Sequence, residues 1–190
     1  GQGNKKLSKR DPESNLFLHR ERGMIPEGLL NYLALLGWSI GDDREIFTFD
    51  EMAAAFDIRR VNPNPARFDL KKAEAINGVW LRQLSPDELA RRLLPYLQEA
   101  GHIEADPEPE VMETLFAAAP LVQERMTVLT EGVEMLAFLF ADDFQVDPVD
   151  AAKVLTPDAS VTLEAALEAL DDITAWEAGA IENALRAALV

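Results

Sequence analysis

Helix-start chemistry recurs along this chain, and the alternation that marks strands is nearly absent. Ser, Thr and Asp favour the position before a helix because their side-chain oxygens accept the orphan N–H groups of the first turn. Thr48, Asp69, Ser85, Asp147, Thr162 and Thr174 each stand there, ahead of an apolar run. Thr48 with Glu51, Ser85 with Glu88 and Thr174 with Glu177 also have capping-box spacing. Pro26, Pro86 and Pro148 suit first turns, and Gly37 and Gly101 suit stops. Further apolar stretches fall at 109–118, 120–129 and 131–141, and Pro95 is expected to kink the helix after Ser85. TVLT at 127–130 and ASVTL at 159–163 are too short to stand as strands. The pattern predicts an all-α chain of eight to ten helices without internal repeats. Zones 1–23 and 57–68 lack apolar periodicity and are expected as surface loops.

Apolar residues make up 48% of the 190, so a packed core is within reach and global disorder is excluded. The absence of cysteine removes disulfides, thiolate zinc sites and cysteine nucleophiles, and it suits a reducing cytosol. No apolar run has the length of a membrane span, and the first residues have no apolar segment behind their charges, so neither a span nor a signal peptide is expected. A cytoplasmic location follows as the expectation. His19 and His102 are isolated, so no metal site is expected.

Net charge is −16, an unpromising value for a nucleic-acid binder, but it is unevenly distributed. Residues 1–92 carry 15 Lys and Arg against 14 Asp and Glu, whereas residues 93–190 carry 3 against 20. Phosphate contact needs cations, so any RNA contact belongs mainly to the first half. There Arg59, Arg60, Arg67, Lys71, Lys72 and Arg82 lie close together in sequence. They are either an RNA-facing cluster or solvated cations paired with Asp57, Asp69 and Glu74. In the second half the basic residues are Arg125, Lys153 and Arg186. Phe138, Phe140 and Trp176 fall in apolar patterns that read as core.

The segment GNKKLSKRD at 3–11 carries the most chemistry. It is either a solvated basic run or a mobile loop whose ammonium groups close over phosphate charge. KLSKR at 6–10 resembles the KMSKS signature of class I aminoacyl-tRNA synthetases, with Arg10 in place of the last Ser. RDPESNLFLHRERGMIPEGLLNYLALLGWS and NPNPARFDLKKAEAINGVWLRQL resemble the segments that follow this loop in bacterial glutamyl-tRNA synthetases. The likeness is strong over residues 3–85 and thins beyond about 100 to helix pattern and the VQERMTVL stretch at 122–129.

The resemblance implies a division into a signature loop at 1–22, stem-contact helices at 23–84 and a first helical anticodon-binding domain at 85–190. It implies that Lys9 contacts ATP, with Lys6 as supporting cation and Ser8 fixing the loop. In such an enzyme ATP, with Mg, activates glutamate for attachment to tRNA(Glu), and a monomer is expected. The basic cluster would then meet tRNA phosphates and 2′-hydroxyls, which set register rather than read sequence. Arg125 is the best anticodon-side candidate, with a structural ion pair to Glu124, Glu131 or a neighbouring helix as the alternative. Family members often carry an aromatic where this chain has Ala75. The nucleotide-binding fold and its His-Ile-Gly-His signature do not occur here, nor does a second helical anticodon domain. The expectation is therefore an inactive carboxy-terminal portion of the enzyme that carries tRNA contacts. A stand-alone RNA-binding or protein-interaction module is the alternative, and charging of tRNA(Gln) stays open.

Overall fold

The computed structural model describes residues 15–41, 43–63, 66–141 and 146–188, and among them there are helices and turns but no strand. The short stretches TVLT and ASVTL accordingly run into helices. By internal contact the chain divides into a unit over 1–142 and another over 143–190. No helix among the described residues is long and apolar enough to cross a membrane.

The first unit begins with α1 (Leu16–Glu21), capped by Asn15 and followed by α2 (Pro26–Leu35). Zone 1–23 is therefore not loop throughout, because six residues make a helix too short to show periodicity. α1 ends in a turn whose Gly23 has φ +87°, with Met24 N–H donating to the His19 carbonyl at 3.0 Å. α3 (Phe49–Ala55) starts at the Thr48/Glu51 capping box and is followed by a 3-10 turn at Ile58–Arg60. α4 (Leu70–Gln83) starts where Asp69 accepts the Lys72 N–H. α5 (Pro86–Glu99) is capped by Ser85 and ends at Gly101, φ +77°.

Leu89, Leu93 and Leu97 follow one another on one face of α5 and are fully buried. Each such leucine contributes roughly 1.5–3 kcal/mol of burial. Pro95 lies on the opposite, exposed face, so its missing N–H leaves a carbonyl open to water and the helix runs through it. α6 (Pro109–Gln123) likewise runs through Pro120, joining stretches expected to be separate, because buried Leu115, Ala118, Ala119 and Val122 hold both halves. α7 (Leu129–Leu136) and a 3-10 turn at Ala137–Phe140 complete this unit.

Leu89, Leu93, Leu97, Leu115, Met126 and Leu136 form one core among α5, α6 and α7. Tyr32, Phe68, Ala73, Ile76 and Val128 form a second around α2 and α4, and Trp80 packs against both. Phe68 and His19, both from the two zones expected as surface loops, are buried, with ring centroids 5.1 Å apart. Single anchors of this kind have no periodicity to betray them.

The second unit holds α8 (Pro148–Val154), α9 (Ala159–Asp171) and α10 (Ala178–Ala188). Asp147 caps α8 as expected. Thr162 is not a cap, because α9 is already under way three residues earlier, after a turn in which Ser160 donates to the Pro157 carbonyl. Nor does Thr174 cap α10: the Glu177 carbonyl accepts the Ile181 N–H, which puts Glu177 at the helix start. Trp176 sits in the turn before α10 and is exposed, as is Phe138 in the first unit, so neither is core; Phe140 does pack against the core of the first unit.

Candidate nucleic-acid interface

α4 carries three of the seven RNA-contact candidates, Lys71, Lys72 and Arg82. Ala73, Ile76, Asn77 and Leu81 face inward. Lys71, Ala75, Gly78 and Arg82 recur at helical spacing along a neighbouring stripe, buried at Gly78 and with exposed cations at its two ends. Eleven residues separate those cations, about 16 Å of helix axis. Ala75 is exposed, so the missing aromatic opens no hole in the core; Trp80 instead donates its indole N–H to Asn31 Oδ1 at 2.9 Å.

The cations divide by what already neutralises them. Arg59 forms a forked pair with Asp57, Nη2 to Oδ2 2.7 Å, and the pair holds the Asp57 carboxyl below its usual range. Lys72 is bonded to Glu45. Arg60 donates to the Ser39 carbonyl at 2.9 Å, lies over the Trp38 ring at 5.7 Å, and its charge helps to lower the Asp57 pKa. Arg67, Lys71, Arg82 and Arg125 are exposed and make no ion pair among the described residues. Of the internal partners suggested by the sequence, Asp57 holds an arginine, while the Asp69 carboxylate caps α4.

Arg125 follows the end of α6. Its suggested partner Glu131 is engaged elsewhere: its carboxylate accepts the backbone N–H of Thr127 at 2.7 Å and of Val128 at 3.3 Å. That arrangement stands in for a side-chain cap on α7, because Val128 has no acceptor to offer.

The segment 125–130 is built into the first unit from several sides. Asn77, fully buried, accepts the Ile25 N–H at 2.8 Å and donates to the Thr127 carbonyl at 2.7 Å. Leu129 N–H donates to the Gly23 carbonyl at 2.9 Å, and Thr130 Oγ1 donates to the Arg22 carbonyl at 2.9 Å. A Cβ on Gly23 would sit 2.6 Å from the Leu129 nitrogen. Arg20 and Arg22, exposed cations flanking this joint, had no distinguishing signal in the sequence, since α1 itself was not legible. Glu27 and Arg92 tie α2 to α5 through two 2.8 Å bonds, which lower the Glu27 pKa. Lys6, Ser8 and Lys9 lie outside the described residues. No group of three or more His, Cys, Asp or Glu able to hold a metal occurs among the described residues.

The family described as "Anticodon binding domain" matches residues 88–189, and that described as "tRNA synthetases class I (E and Q), catalytic domain" matches residues 1–75. The glutamate–tRNA ligases of Saccharopolyspora erythraea and Kineococcus radiotolerans are each 58% identical over the whole chain. The chain spans 38% of the length of either relative. The solved glutamate tRNA ligase of Elizabethkingia meningosepticum, in complex with its amino acid, superposes with a TM-score of 0.75 at 25% identity, covering 98% of this chain and 39% of that one.

Proposed function

This chain belongs to the anticodon-binding-domain family, and on that footing we propose that it is the stem-contact and anticodon-arm portion of a glutamate–tRNA ligase. The observation that carries the reading is the set of exposed cations that make no ion pair among the described residues: Arg67, Lys71 and Arg82 along and ahead of α4, and Arg125 beyond α6. Cations already neutralised by a neighbour lose that pairing when they turn to phosphate, whereas unpaired ones meet it directly. Arg59, Arg60 and Lys72 then play a supporting part.

The whole ligase would join glutamate to tRNA(Glu) with ATP and Mg, as a cytoplasmic monomer. In it Lys9 and Lys6 would lie over the phosphates of ATP, stabilising charge that builds as pyrophosphate leaves, with Ser8 holding the loop. The chain's own segments would be a signature loop at 1–22, a stem-contact part at 23–84 and an anticodon-arm part at 85–190. The chain by itself would bind tRNA without activating glutamate.

The test is a binding titration with glutamate tRNA beside an unrelated tRNA. Preference for glutamate tRNA supports the reading, and equal affinity for both removes the anticodon-arm assignment. In the whole ligase, Lys9→Ala is expected to lower the rate of glutamyl-adenylate formation while leaving thermal stability unchanged; an unaltered rate would take Lys9 out of the chemistry. A second reading, a protein-docking role for the acidic second unit, is favoured by exposed Val161, Leu163, Leu167 and Trp176.

A further inference from the structure

Arg82 and Arg125 come from different elements, yet one glycine brings them to the same seam. Gly78 sits in the interior of α4, where glycine is a poor helix former. A Cβ there would lie 3.3 Å from Arg82 Nη1 and also 3.3 Å from the Met126 carbonyl oxygen and the Thr127 Cα. The Arg82 guanidinium and the backbone that immediately follows Arg125 therefore flank one α-carbon.

The seam is held from both sides. Asn77 donates to the Thr127 carbonyl at 2.7 Å. Gln123 Nε2 donates to the carbonyls of Leu81 and Leu84, both at 2.9 Å, which brackets Arg82 from the end of α6. Glu131, one of the acids suggested as a partner for Arg125, is turned into the start of α7 by the Thr127 and Val128 N–H groups. The Arg82 guanidinium and the backbone next to Arg125 thus meet at one joint; both arginines are exposed, and neither makes an ion pair among the described residues.

We propose that Arg82 and Arg125 form a single clamp for one stretch of RNA phosphodiester, with Gly78 as the positioning residue that lets α4 and the 125–128 segment close together. The proposal rests on the RNA-contact reading and deepens it: a stem-side residue and a supposed anticodon-side residue belong to one site. A guanidinium presents a planar fork of donors to phosphate oxygens, so two of them converging on a backbone reinforce each other.

The test is a double-mutant cycle on the chain, read as affinity for glutamate tRNA by fluorescence anisotropy, with Arg186→Ala as control. Arg186 is paired with Glu182 in the second unit. Arg82→Ala and Arg125→Ala should each weaken binding about 5-fold, and the double variant about 5- to 10-fold rather than about 25-fold, because contacts on one site couple. Gly78→Ala should still unfold cooperatively on heating while weakening binding about as much as Arg82→Ala, and adding Arg82→Ala to it should cost less than about 2-fold more. Losses that multiply, or arginine variants that bind as the parent does, would overturn the clamp and leave the RNA reading standing. A parent chain that binds no RNA would reject both.

Discussion

Removing the Asn77 side chain would leave the Ile25 N–H and the Thr127 carbonyl without partners in a buried place. Each unsatisfied group costs about 1–3 kcal/mol, so Asn77→Ala should lower stability by roughly 2–4 kcal/mol, measured by denaturant unfolding. A loss below about 1 kcal/mol would mean that water replaces both bonds. Glu27 offers a pH test. Its pKa is lowered by the Arg92 bonds, so its contribution is full above the ordinary carboxylate range and is lost as pH falls through the depressed value. Glu27→Gln should therefore reduce the melting temperature more at pH 7 than at pH 3. An equal reduction at both would remove the ion pair from the account. The residues behind both predictions were hidden in the sequence for one reason, distance along the chain. Asn77 reaches partners 52 and 50 positions away, and Glu27 reaches one 65 away. Asp57 was legible as a possible partner for the nearby cations, and it pairs with Arg59 two positions on; Glu45, 27 positions from Lys72, was not.

At the scale of elements, what was legible was the chemistry of the first turn. Thr48, Asp69, Ser85 and Asp147 cap helices because their partners lie two or three residues on. Thr162 and Thr174 show the limit: the same residue types lose the position when a neighbouring turn starts the helix earlier or later. Two helix ends separate backbone strain from packing. Gly23 and Gly101 both have positive φ, but only Gly23 is pressed against another segment, the backbone of Leu129 and Thr130. Gly101→Ala should cost about 1–2 kcal/mol, the left-handed penalty alone. Gly23→Ala should cost clearly more, roughly 3–5 kcal/mol, because the chain must also move apart. Equal costs in thermal unfolding would show that the joint at 22–25 yields easily.

At the scale of the whole molecule, a net charge of −16 is compatible with the proposed RNA contact because the charge is segregated along the chain. The uneven distribution was readable from sequence, and so was the all-α class. Which cations make no ion pair among the described residues was not, since that depends on whether a carboxylate from another element reaches them. The claim to test is that these cations of the first unit hold RNA. The direct measurement is the dependence of tRNA affinity on salt, for the parent chain and for a variant with Arg67, Lys71, Arg82 and Arg125 all changed to Ala. Each phosphate contact contributes about 0.7–0.9 to the slope of log K against log salt. The account predicts that the variant's slope is shallower by about 3 and that its binding at low salt is much weaker. A variant with the parent's slope and affinity would contradict it.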